Sequence, residues 1–311
     1  LLTGATGFIG SDILHKICLD GSFQAIACTR SDVLIKANSV DYFLVNDFEE
    51  ESLWHNALVN VEVVIHAAAR AHVSRDEKFD PLVEYRRVNV DGTMALARQA
   101  AAVGVKRFIF ISSIGVNGNI STAPFKESDA PVPAEPYAQS KYEAEIALLK
   151  LANETGLEVV IIRPPLVYGA NAPGNFGSLV KAISKGLPLP LGAIHNKRSL
   201  VALDNLVDLI ITCIDHPAAA NQIFLAGDGE DISTTQLLRG VANAMGKPSR
   251  LIPIPASWLM MAATVLGKKA VAQRLLGSLQ VDISKAQQLL GWTPPISVAE
   301  GLRRCFPTVK D

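Results

Sequence analysis

The chain has 311 residues, long enough for one large α/β domain or a main domain with a smaller lobe. With 29 basic and 30 acidic residues its net charge is −1, which removes the overall electrostatic footprint expected of a protein that binds nucleic acid or an anionic membrane. The four cysteines are scattered without a C-x-x-C pair, so they read as buried thiols in a reducing, cytoplasmic setting, with no metal site and no disulfide framework.

The first stretch organises the rest. Leu1-Leu2 runs straight into Thr3-Gly4-Ala5-Thr6-Gly7-Phe8-Ile9-Gly10, and an apolar stripe at Ile13, Leu14, Ile17 and Cys18 follows at helical spacing. The strand ahead of the glycines is short, and residues before Leu1 are expected to lengthen it. Gly4 permits a tight bend, Gly7 lets backbone approach a pyrophosphate, and Gly10 lets the helix lie close to its strand. Free N–H groups at that helix start, around Thr6, Phe8 and Ile9, would face the phosphates. A second strand over 25–29 ends in Thr29-Arg30-Ser31-Asp32, where dinucleotide folds read the adenosine ribose. Arg30 there attracts a 2′-phosphate and leans toward NADP, while the nearby Asp32 keeps NAD open.

A third strand ends in Asn46-Asp47-Phe48. Asp47 either accepts from the adenine amino group or caps the next helix, and Phe48 is grouped with it at the cofactor. The β-branched run 61–65 predicts a buried parallel strand that delivers His66-Ala67-Ala68-Ala69 to the sheet's carboxyl edge. The alanines leave room for a cofactor; His66 reads as a packed histidine. The segment 85–104 is helical by its apolar spacing and contains Asn89. The strand 106–112 ends in Ser112-Ser113. Strands and helices that alternate in this way demand a doubly wound parallel sheet of Rossmann type, with reactive groups gathered at the strands' carboxyl ends.

A loop over 115–136, rich in Pro, Ser and Asn, leads to Pro136-Tyr137-Ala138-Gln139-Ser140-Lys141. Four residues apart on a helix, Tyr137 and Lys141 share a face. An ammonium there is expected to lower the phenol pKa and make Tyr137 a general acid or base.

Taken in order, Thr3–Gly10, Asn89, Ser113 and Tyr137-x-x-x-Lys141 resemble the short-chain dehydrogenase/reductase superfamily, and more closely its extended branch of nucleotide-sugar epimerases, dehydratases and reductases. The resemblance spans essentially the whole chain. It implies a catalytic set of Ser113, Tyr137 and Lys141, with Asn89 fixing the catalytic helix, and it places Tyr137, Lys141 and Pro164 of Arg163-Pro164-Pro165 beside the cofactor. It also implies substrate contacts from Ser113, Asn175 and Arg198, with Arg274 as a second phosphate contact. The chain departs from the family at Val116-Asn117-Gly118, where Val-Tyr-Gly is usual, and at Thr29-Arg30, where an acidic residue is usual.

On this reading residues 1–168 form the dinucleotide-binding domain, to which 199–226 returns, and 169–198 with 227–311 form a substrate-binding lobe. The expected activity is 4-epimerisation of a UDP-hexose or UDP-N-acetylhexosamine by transient hydride transfer at C4. The alternatives are an NADPH-dependent 4-reductase of a nucleotide 4-keto-6-deoxysugar and, more remotely, an NADP(H) sensor without turnover. A dehydratase would need an acid/base pair where Ile114-Gly115 stand. A homodimer is expected through a four-helix contact of the segments 85–103 and 137–151. The apolar stretch 258–267 is too short to cross a bilayer, which takes roughly 20 residues, and reads as a buried or interfacial helix.

Overall fold

The computed structural model describes residues 1–30, 40–45, 51–71 and 80–306, leaving aside the side chains of 51–53. Asp47 and Phe48, read above as cofactor residues, lie outside the described residues. In chain order the strands are β1 (Leu2–Thr3), β2 (Ala25–Thr29), β3 (Val40–Leu44), β4 (Val63–His66), β5 (Arg107–Ile111), β6 (Glu158–Arg163), β7 (Leu166–Tyr168), β8 (Arg198–Ala202), β9 (Gln222–Leu225) and β10 (Asp231–Ile232). Seven of them form a parallel sheet in the order β3-β2-β1-β4-β5-β6-β9. The order reverses beside β1. That places the crevice used by doubly wound folds between the carboxyl ends of β1 and β4.

Each central strand is apolar on both faces because each face is covered by helices. Ile65, Ile109, Val160 and Ile162 point to the side covered by α1 (Phe8–Asp20), with Ile13, Leu14 and Ile17 against them. Val64, Phe108, Phe110, Val159 and Ile161 alternate to the other side. There α2 (Glu51–Ala57) contributes Trp54, and the segment 81–102 lies across the sheet as α3 (Pro81–Arg86), a π-helical turn Arg87–Gly92, and α4 (Thr93–Ala102). The single helix expected over 85–104 is therefore interrupted by a π turn, and that turn holds Asn89 buried. The same face is completed by α5 (Pro136–Thr155), with Ala144 and Leu148 at zero exposure.

A three-stranded sheet, β10-β8-β7, sits on the far side of β6 and was not anticipated from the sequence. Around it lie α6 (Gly174–Ser184), α7 (Leu203–Asp215), α8 (Thr234–Ala244), α9 (Ala256–Val265), α10 (Lys269–Leu276), α11 (Ser284–Leu290) and α12 (Val298–Arg304). Of these, α7 packs back on α1, as its Leu206, Leu209 and Ile210 show. Arg107 ties the end of α7 to the main sheet: its guanidinium donates to the carbonyls of Cys213, Ile214 and His216 at 2.8–3.0 Å and pairs with Glu158. A cation on the last carbonyls of a helix satisfies acceptors that have no partner inside the helix. Gly267 at φ +68° turns the chain between α9 and α10 and ends the apolar stretch 258–267.

Candidate active site

The glycine turn is built as its composition requires. Gly4 has φ +70°, and a Cβ there would lie 2.7–2.9 Å from the backbone of Ala67 and Ala68, so the turn is pressed against the end of β4. A Cβ on Gly10 would meet the carbonyl of Gly4 at 2.0 Å. No side chain could stand at that position. Gly7 is the N-cap of α1 and offers no side-chain cap, so N–H groups of the first turn stay available to an anion. Thr6 and Phe8 flank it, and Ala67, Ala68 and Ala69 line the opposite lip with short side chains. A cradle that any larger residue would fill fits a dinucleotide pyrophosphate. Arg30, the residue after β2, is exposed and forms no ion pair among the described residues.

Behind the turn runs a buried relay that the sequence reading missed. The Thr93 hydroxyl donates to the Asn89 carbonyl at 2.8 Å. Its only proton is thereby used, so at 3.0 Å the His66 Nε2–H is the donor to Thr93, and His66 Nδ1 accepts from the Thr3 hydroxyl at 2.8 Å. Burial and the nearby Lys141 ammonium push the His66 pKa down to about 3, which keeps the ring neutral and this single tautomer in place. Asn89 continues the relay. It accepts from the Arg70 N–H at 2.8 Å and donates to the Arg70 carbonyl and to the Ser140 hydroxyl, at 3.1 and 3.0 Å; Ser140 in turn donates to the Tyr137 carbonyl. The strand carrying the glycine turn and the first turn of α5 are thus joined by one continuous set of hydrogen bonds.

Ser113 and Tyr137 face a cleft of about 560 Å³, which is also lined by Pro164, Asn175, Arg198 and Arg274. Ser113 is the N-cap of a short 3₁₀ turn, Ile114–Val116; its Oγ accepts from the Gly115 N–H at 3.1 Å, and among the described residues its own proton has no acceptor. Tyr137 is half-buried, with its ring edge-on to Tyr85 at 5.8 Å. The expectation that its pKa falls is not met in the chain alone. Burial, with Tyr85 adding to it, pushes the phenol up to about 12. Lys141 is 1% exposed; its Nζ donates to the Ile111 carbonyl at 2.8 Å and lies 4.3 Å from the Phe110 ring centroid. Burial pulls Lys141 down to about 7 against the opposing effect of Glu145.

Beneath Ser113, Arg163 forms a bidentate pair with Glu145, at 3.0 Å from Nε and 2.5 Å from Nη2, and both side chains are buried. Its Nη1 donates to Asn117 Oδ1 at 2.9 Å, and Ser112 donates to the same carboxylate. Asn117 belongs to this cluster. Standing where the family has a tyrosine, it is 2% exposed and turned into the ion pair, so its identity says nothing about substrate contact. On the lobe side, Arg198 Nη1 donates to the carbonyls of Arg274 and Gly277 at 2.7 and 3.2 Å, leaving the rest of its guanidinium toward the cleft. Arg274 is ion-paired with Glu135, whose carboxylate also accepts from Asn119.

The sheet order, the glycine turn and the Ser-Tyr-Lys cleft define a doubly wound dinucleotide-binding enzyme of the short-chain dehydrogenase/reductase type. Residues 1–227 match the NAD dependent epimerase/dehydratase family, and the chain belongs to that family. It is 47% identical over 309 residues to a UDP-glucose 4-epimerase of Vibrio cholerae, across 98% of this chain and 93% of the relative. It is 28% identical to the N-acetyl-α-D-glucosaminyl-diphospho-ditrans,octacis-undecaprenol 4-epimerase of Escherichia coli O157:H7, across 98% and 93% of the two chains. Among solved structures, a UDP-glucose 4-epimerase of Thermotoga maritima has the same fold, with a TM-score of 0.79 at 24% identity over 98% of this chain and 96% of that one.

Proposed function

We propose that the protein is an NAD(P)-dependent 4-epimerase of a UDP-hexose or UDP-N-acetylhexosamine. The observation that carries the reading is the juxtaposition in one cleft of Ser113 and Tyr137 with Arg198 and Arg274, that is, of proton-transfer groups with phosphate-binding ones. The 47% identity to the Vibrio 4-epimerase supports the name of the reaction.

Gly4, Gly7 and Gly10, the Ala67–Ala69 lip, Pro164, Tyr137 and Lys141 would hold the dinucleotide. When bound it supplies reversible hydride transfer. The side chains do the rest. Tyr137, ionised where the positive charge of the oxidised dinucleotide would offset its burial, takes the proton from the sugar C4 hydroxyl and returns it, and the Ser113 hydroxyl donates to the same oxygen as charge develops on it. Lys141, fixed by Ile111 and Phe110, orients the cofactor ribose. Asn89, through Ser140, holds the first turn of α5 so that the Tyr137 oxygen meets C4. Arg198 and Arg274 grip the diphosphate while the hexose turns, and Asn175 lines the same cleft.

Arg30 favours NADP as the dinucleotide, and with it the second reading, a 4-ketoreductase that draws on NADPH. Its position at the end of β2, exposed and unpaired among the described residues, supports a 2′-phosphate contact. Val83 on α3 and Ile146 on α5, 57% and 50% exposed, support pairing of these helices in a homodimer, which sedimentation velocity at micromolar concentration tests. Four free cysteines support a cytoplasmic location.

The deciding experiment incubates purified protein with UDP-glucose and UDP-N-acetylglucosamine and follows the C4 configuration by NMR, without added reductant. Interconversion of the C4 epimers upholds the epimerase. No interconversion, together with NADPH consumption on a UDP-4-keto-6-deoxyhexose, replaces it with the reductase. Arg30→Asp is expected to shift the NADP/NAD affinity ratio by at least about tenfold, the equivalent of losing one charge-assisted hydrogen bond. An unchanged ratio would leave the reductase without its main support.

A further inference from the structure

The segment 258–267, read from its composition as a buried or interfacial helix, is not buried. No residue of α9 is buried, and its apolar side chains form a stripe that faces solvent: Trp258 is 67% exposed, Met261 66%, Val265 82% and Leu266 71%. These positions, with Ala262 between them, stand at i, i+3, i+4, i+7 and i+8, the spacing that puts side chains on one helix face. In a soluble domain such a stripe turns inward. Here it turns outward, and exposed Leu187 and Ile252 extend the apolar surface where 189 and 251 bridge the two chain segments next to α9.

Charge singles out what covers it. The chain as a whole is near neutral, yet the stretches 169–203 and 232–281, which build this side of the molecule, contain ten Lys and Arg and no Asp or Glu. Two of the cations, Lys268 and Lys269, follow the α9 stripe directly. Lys247 and Arg250 precede it in the chain, exposed and donating to the carbonyls of Ser184 and Gly186. An apolar helix face with a tryptophan, flanked in the chain by exposed cations, is the composition that settles on an anionic lipid surface. The surface also reaches the reaction site. Val271 and Leu275 of α10 line both the 560 Å³ cleft and an apolar pocket of about 350 Å³ between α9 and α10.

We propose that the α9–α10 hairpin docks this enzyme reversibly on anionic phospholipid membrane, with Trp258, Met261, Val265 and Leu266 in the headgroup region and the cleft opening beside the bilayer. The inference stands apart from the sugar chemistry.

The test is co-sedimentation of the whole protein with vesicles of phosphatidylethanolamine and phosphatidylglycerol, compared with vesicles of phosphatidylcholine alone. Binding to the anionic vesicles, weakened by salt and accompanied by a blue shift of Trp258 emission, is the expected result; Trp54 and Trp292, at 0% and 4% exposure, do not report on the surface. Val265→Ser and the pair Lys268→Glu, Lys269→Glu should each lower the partition coefficient, the charge pair by at least about tenfold. Turnover of a water-soluble nucleotide sugar should stay unchanged, which keeps failure of the docking separate from failure of the active site. Three results would overturn the proposal: no anionic vesicle binding, equal binding to neutral vesicles, or a wild-type oligomer that Val265→Ser dissociates, which would mean that a second copy covers the stripe.

Discussion

Two helices, α5 and the far more apolar α9, have fates opposite to their composition, and the difference shows what decides burial. In α5 the apolar residues are interleaved with groups that find partners inside: Ser140 meets Asn89, Lys141 meets Ile111, and Glu145 meets Arg163. Each of these buried polar groups is satisfied, so the helix can lie against the sheet and hold Tyr137 in place. In α9 the apolar residues are nearly uninterrupted and unburied. Composition alone would rank α9 as the core helix. Partnered polarity, not hydropathy, fixes which of the two becomes scaffold.

The largest expected effect removes the group that α5 exists to present. Tyr137→Phe deletes one oxygen and should lower kcat by about 10²–10⁴-fold, as loss of general acid/base catalysis does, with cofactor affinity nearly unchanged. Steady-state kinetics beside a cofactor titration checks it. Near-normal turnover would sink the catalytic assignment.

Arg163→Met strikes the scaffold under the site. It strands the Glu145 carboxylate and the Asn117 side-chain oxygen in the core, and breaking a buried pair from one side typically costs about 3–5 kcal/mol. The urea midpoint should fall sharply. Substituting Trp258 on α9 by Ser should leave it almost in place, and similar losses from the two would erase the contrast between the helices.

Lys141 gives that contrast a pH signature. Its folded pKa, about 7, lies below the ordinary lysine value of 10.5, so between these pH values the unfolded chain binds the proton and the folded chain does not. Stability from this group is therefore greatest above pH 10.5 and is lost as pH falls toward 7. Compared with Lys141→Met, wild type should gain unfolding free energy over that interval. Parallel profiles would mean that the ammonium is not desolvated.

Much of this was legible in the sequence because local chemistry dictates it. The glycine turn needs its glycines for backbone approach, the β-branched runs specify buried parallel strands, and the Tyr137–Lys141 spacing fixes a shared face. What could not be read is long-range. His66 shows a packed histidine in sequence, and only the fold shows that it joins Thr3, 63 residues away, to Thr93. Asn117 showed in sequence only as a departure from Val-Tyr-Gly, because the sequence does not reveal that it turns into the Arg163–Glu145 pair. The small sheet escaped because β7 and β10 are three and two residues long, below the length at which alternation can be recognised.

The smallest expected effect lies where the two regions touch. Glu135, at the start of α5, holds Arg274 of α10, and both are part-exposed, at 36% and 46%. Exposed pairs contribute about 0–1 kcal/mol, so Glu135→Gln should change stability very little. Its consequence is electrostatic. The carboxylate competes with the diphosphate for the Arg274 guanidinium; with it gone, that contact forms without first breaking an ion pair, and one anion fewer repels the substrate from the cleft. KM for the nucleotide sugar should fall a few-fold, with kcat unchanged, because the gain is made equally in ground and transition states. A rise in KM would assign the pair a different part: Glu135 would then be holding Arg274 in the binding position, not away from it, and the contact between α5 and the lobe would belong to substrate recognition from the outset.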